Sequence, residues 1–107
     1  MGKKSKDKGN RVEREMVHAF RGRGFAAERV PLSGAVRGRF SGDLSVPFLG
    51  VDRRVEVKVR AKGYGTVYSQ LGDNFALVIK ADRREALLVL RLEDGMAVGA
   101  LAQKAPP

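Results

Sequence analysis

Arg54-Val-Glu-Val-Lys-Val-Arg60 is the stretch that decides the fold. Val55, Val57 and Val59 alternate with Glu56, Lys58 and Arg60, the period of two that gives a β-strand one apolar and one polar face. Glu56 and Lys58 therefore point the same way. Immediately upstream, Gly50 to Arg53 reads as a turn and Asp43 to Phe48 as a second strand. If the two strands are hairpin neighbours, Asp43 and Glu56 converge across the ladder, where paired side chains lie within about 5.5 Å.

Downstream, Gly63 to Gly65 breaks the alternation and Thr66 to Gly72 suits a short helix. Phe75 to Ala81 and Ala86 to Leu92 read as two apolar strands joined by a turn at Asp82 to Glu85. Toward the N-terminus, Phe25 to Pro31 reads as a short strand, and Leu32 to Gly42 as a loop rich in Ser, Gly and Arg. Val12, Met16, Val17 and Phe20 form one stripe of an amphipathic helix from Asn10 to about Arg21, with Gly22 and Gly24 as its stop. Three segments result: a flexible basic arm over 1–9, one folded domain over 10–96 and a weakly structured tail over 97–107. The order of helix, three strands, short helix and two strands predicts an α/β or α+β sheet with a helix packed on it.

Charge and composition narrow the function. The chain has 107 residues and a formal net charge of +9. Residues 1–62 hold 16 Lys and Arg against 7 Asp and Glu, whereas 63–107 hold 5 of each. A basic field on one part of a small protein raises the local concentration of a polyanion and supplies non-specific affinity for nucleic acid. With no Cys and one His, thiolate zinc sites, disulfides and multi-His metal sites are excluded. The longest apolar run, Ala86 to Leu90, is far below the ~20 residues of a membrane span, so no membrane role is expected and the reading is a cytoplasmic protein.

Two carboxylates sharing one small space need a cation between them. A hard divalent ion such as Mg²⁺ suits an all-oxygen donor set. Lys58, on the same face, is placed to orient water or to stabilise charge developing on a phosphoryl group. Each feature also has a plainer reading. Glu13 stands three residues after Asn10, the spacing of a capping box. Glu56 and Lys58 equally suit a surface ion pair on an ordinary half-exposed strand, and His18 a packed or surface side chain.

Five blocks in order, Lys8-Gly-Asn-Arg-Val-Glu-Arg-Glu-Met-Val17, Gly24-Phe-Ala-Ala-Glu-Arg29, Ser33-Gly34, Gly42-Asp43-Leu44 and Val55-Glu-Val-Lys-Val-Arg60, carry a resemblance. They resemble the PD-(D/E)xK nucleases and, within them, the archaeal-type Holliday-junction resolvases. The resemblance covers roughly residues 8 to 62; the family's proline before the first aspartate is Gly42 here. It implies an α/β, restriction-endonuclease-like core with a central mixed β-sheet, an N-terminal helix and a short helix after the third strand. It implies that Asp43, Glu56, the Val57 carbonyl and Glu13 serve Mg²⁺, with Mn²⁺ as a substitute, that Lys58 is the catalytic lysine, and that Ser33 lies near the scissile phosphate. Arg14 and Arg29 match positions that the family turns to the DNA backbone or the active site. Lys3, Lys4, Lys6, Lys8, Arg37, Arg39, Arg60 and Lys62 complete the expected DNA contacts, and Gln70 is a further candidate near the site.

The function expected is a Mg²⁺-dependent, structure-selective DNA endonuclease of a bacterium, archaeon or phage, acting in recombination and repair. Its expected substrate is branched DNA, a four-way junction, and symmetrical cutting implies a homodimer. The alternatives are a nuclease of the same superfamily acting on duplex or flapped DNA and a non-catalytic DNA-binding module. An RNA-binding role is disfavoured by the lack of an aromatic-rich strand.

Overall fold

The computed structural model describes residues 2–30 and 43–104, residues 2–7 as backbone. The elements in chain order are α1 (Gly2–Gly22), β1 (Glu28–Arg29), β2 (Leu44–Phe48), β3 (Val51–Val55), α2 (Gly65–Leu71), β4 (Ala76–Ile79), β5 (Leu87–Leu90) and α3 (Leu92–Lys104). The seven elements expected from the sequence occur in the expected order, and α3 is added to them. The strands form two antiparallel sheets among the described residues, β1-β2-β3 and β4-β5, where a single central mixed sheet is expected. Among the described residues no ladder joins the two sheets.

The first sheet is positioned by two glycine-dependent turns. At the end of α1, Gly24 has φ +93° and the Phe25 amide donates to the Phe20 carbonyl at 3.0 Å, a reversal that a Cβ at Gly24 would disfavour. It brings Phe25 back beneath α1, where its ring meets Phe20 edge-on at 5.9 Å and stacks on Phe48 at 5.4 Å. Between β2 and β3 the turn is Leu49-Gly50, with φ +58° and +83°. Positive φ at both central residues of a two-residue hairpin matches the right-handed twist of the flanking strands.

That turn corrects the expected boundaries. The chain reverses at Leu49-Gly50, before the expected Gly50 to Arg53, so β3 is Val51–Val55 and not Arg54 to Arg60. Beyond Val55 the alternation persists without a ladder: Val55 and Val57 are half-buried, Glu56 and Lys58 exposed.

Both chain ends also differ from expectation. Residues 2–9, read as a flexible arm, are the first turns of α1. Lysine favours helix, yet a stretch with no apolar residue carries no periodic stripe by which a helix is recognised. Asn10 is consequently inside the helix, so the capping-box reading of Asn10 and Glu13 does not hold. Residues 97–104, read as weakly structured tail, belong to α3. Its Gly95 and Gly99 are poor helix formers, and they concealed it. Packing explains their presence: a Cβ at Gly99 would lie 2.3 Å from Phe48 Cζ, so only glycine admits the ring. Val17 and Phe20 of α1, Phe25, Ala27, Leu44 and Val46 of the sheet region, and Met96 of α3 form the buried core.

Candidate active site

Asp43 is the point where three strands meet. Its amide donates to the Val55 carbonyl at 2.8 Å, and its own carbonyl accepts from the Val30 amide at 3.0 Å. Its side chain is tied as well, since Oδ2 accepts from the Val57 amide at 2.8 Å. The last pair of the β2–β3 register is Leu44 with Val55, and Asp43 and Glu56 are the residues next to that pair on the two strands.

Glu56 and Lys58 share one face and are paired, Lys58 Nζ to Glu56 Oε2 at 3.1 Å, with both side chains about half exposed. Such a solvated pair contributes little to stability, ~0 to 1 kcal/mol. It leaves the ammonium beside the Glu56 carboxylate, in reach of solvent and of any phosphate that approaches.

Glu13 is held elsewhere. Arg29 donates to Glu13 Oε1 through Nε at 3.1 Å and Nη2 at 2.9 Å, and its Nη2 also reaches Asn10 Oδ1 at 2.9 Å. Asn10 and Glu13 are three residues apart on α1, and the guanidinium of β1 bridges them. Sequence reasoning missed Asn10 in this role; the signal was its spacing from Glu13, read instead as a cap. Among the described residues, no group of three or more acidic or His side chains is clustered to hold a metal. Asp43 is bound by the Val57 amide, Glu56 by Lys58 and Glu13 by Arg29.

The other expected residues are dispersed. Arg14, His18, Lys62 and Gln70 are exposed and Lys8 is half-buried. Arg60 lies over the Tyr64 ring, 6.0 Å from its centroid. Lys3, Lys4 and Lys6 occupy the first turns of α1. Ser33, Arg37 and Arg39 lie outside the described residues.

Oxygen donors at Asp43, Glu56 and the Val57 carbonyl, with a cationic side chain alongside, are the donor set a hard divalent ion takes. One helix packed on an antiparallel β1-β2-β3 sheet, a helix after the third strand, and Asp43 tied to the Glu56-Val57-Lys58 segment are compatible with a restriction-endonuclease-like α/β protein. The model of the archaeal Holliday junction resolvase (Hjc) family matches residues 4–98, and the chain belongs to that family, within the PD-(D/E)xK nucleases. The match extends well past the 8 to 62 over which the sequence blocks agree, taking in α2, both strands of the second sheet and half of α3. No curated protein and no solved structure matches the chain. Membership places the chain among nucleases that act on DNA junctions. No described helix is long and apolar enough to cross a membrane.

Proposed function

We propose that the protein is a divalent-metal-dependent endonuclease that cuts four-way DNA junctions, with Asp43 and Glu56 as metal ligands, the Val57 carbonyl completing the set and Lys58 as the catalytic lysine. The observation that supports this is the 2.8 Å bond from the Val57 amide to Asp43 Oδ2, which ties Asp43 to the segment where Lys58 pairs with Glu56 at 3.1 Å, in a chain of the resolvase family. Mg²⁺, or Mn²⁺ in its place, supplies a Lewis acid for the phosphoryl oxygen and for the attacking water.

The chain's own residues do the rest. Asp43 is fixed by its bond from the Val57 amide, so one carboxylate oxygen is committed to the fold. The Lys58 ammonium stabilises negative charge as it builds on the phosphoryl group. Arg29 orients the Glu13 carboxylate from β1, and the basic side chains of α1 together with Arg14, Arg60 and Lys62 hold the DNA backbone. Arg37 and Arg39 join this set by their charge, and the family resemblance brings Ser33 close to the scissile phosphate.

Two active sites are needed to cut a junction symmetrically, and we infer a two-fold dimer. The second sheet supports this: Val78 and Leu88 are directly paired across β4 and β5, and each is 64% exposed. Apolar side chains grouped on one sheet face mark a surface made to be covered.

The deciding experiment compares a labelled four-way junction with a linear duplex, in Mg²⁺ or EDTA, for the natural chain and Glu56→Ala. Paired symmetrical nicks on the junction alone, lost with EDTA and in the variant, are expected. Equal cutting of the duplex would replace the resolvase reading with a general nuclease; binding without cutting would leave a non-catalytic module.

A further inference from the structure

Tyr64 lies at the N-terminal boundary of α2 and Tyr68 stands four residues on, one turn along the same face. Tyr68 is 75% exposed, so its ring is no part of the core. Tyr64, Val67, Tyr68 and Leu71 face Val89 and Leu90 of β5 across a cavity of about 490 Å³. The wall is pinned: Arg91, next to β5, donates to the Asn74 carbonyl at 3.0 Å and to the Gly72 carbonyl, tying the end of α2 to the hairpin.

The cavity's lining is aromatic and aliphatic with one cation, Arg91, and further basic side chains stand on the segment that leads into Tyr64. The Arg60 guanidinium lies 6.0 Å from the Tyr64 ring centroid, within cation–π range. Lys62 is exposed two residues further on. Arg60 is itself only two residues from Lys58, no more than ~7 Å of extended backbone. A cavity of this size is in the range that takes a small planar ligand. An aromatic surface bordered by cations is how unpaired nucleic acid is held, bases stacking on rings and phosphates meeting charge.

We propose that the pocket between α2 and β5 takes one unstacked nucleobase of the DNA, with Tyr68 stacking on the base and Arg60 holding an adjoining phosphate. The inference rests on the nuclease reading above and adds to it a source of selectivity for branched DNA. A base leaves its stack at least cost where helix continuity is already broken. The pocket lies close enough along the chain to the Lys58 site for both to engage the same few nucleotides.

The test is binding in EDTA, so that no cleavage enters, of the full chain and its Tyr68→Phe and Tyr68→Ala variants. The probes are three labelled duplexes: one with a single bulged adenosine, the same one with an abasic site at the bulge, and one fully paired. The natural chain and Tyr68→Phe should bind the adenosine bulge about tenfold more tightly than the abasic bulge. Tyr68→Ala should remove that preference while its circular dichroism and its affinity for the paired duplex stay unchanged. No preference in the natural chain, preference retained in Tyr68→Ala, or an equal loss on all three probes would each overturn the proposal. Junction cleavage in Mg²⁺ is scored separately, and its absence alongside an intact base preference would refute the nuclease reading and not the pocket.

Discussion

Asp43 has two duties that substitution can separate. Its Oδ2 accepts the Val57 amide at 2.8 Å in a half-buried setting, so truncation leaves that amide without its partner. A hydrogen bond to a charged group is worth ~1.5 to 3 kcal/mol, and partial exposure places this one near ~1.5 kcal/mol. Relief of repulsion with Glu56 offsets little of this, because Lys58 already pairs with Glu56. For a domain of this size, Asp43→Ala should lower the melting temperature by about 9 °C. Asp43→Asn keeps an oxygen that accepts from Val57, with a neutral bond roughly half as strong, and should lose under about 1 kcal/mol. Both variants should abolish junction cleavage, since each removes the charge. Thermal unfolding followed by circular dichroism, alongside cleavage of a labelled junction, measures the two duties independently. Equal melting temperatures for Asn and Ala would refute the structural reasoning, and wild-type cleavage by Asp43→Asn would refute the chemical one.

Gly99→Ala gains helix propensity of ~1 kcal/mol but drives a Cβ into Phe48, whose ring is stacked on Phe25, at a cost of ~1 to 3 kcal/mol; a net loss is expected in urea unfolding, and a gain would mean that the ring moves freely. Leu49→Asn should stabilise by up to ~1 kcal/mol in the same assay, because leucine is strained at φ +58° in the turn and is about half exposed there. Val78→Lys should convert a sedimenting dimer to monomer without unfolding it, whereas an unchanged sedimentation coefficient would remove the second sheet from the interface. Deleting residues 2–8 should weaken DNA binding and flatten its dependence on salt, and an unchanged slope would mean that these lysines meet no phosphate.

The local order of elements was legible in the sequence. The alternation around Val55 announces a strand, though β3 itself runs Val51–Val55, the stripe from Val12 to Phe20 announces α1, and five short blocks carry the family. These signals are local, set by side-chain periodicity within a few residues. The places where reading failed are those where distant partners decide. Leu49-Gly50 became the turn because the hairpin's twist favours positive φ at both positions, and β3 therefore starts three residues earlier than its alternation suggests. The glycines of α3 look like helix breakers until Phe48 is seen filling the space that a Cβ would need. Asn10 and Glu13 look like a cap until Arg29, brought across on β1, binds both. Sequence alone determined which residues carry charge, which alternate and which family they follow. Tertiary structure alone decided the partners of Asp43 and Glu13, the Val57 amide and Arg29, because chain reversal and helix packing bring together groups that no local pattern connects, whereas the Glu56–Lys58 pair follows from alternation along one segment.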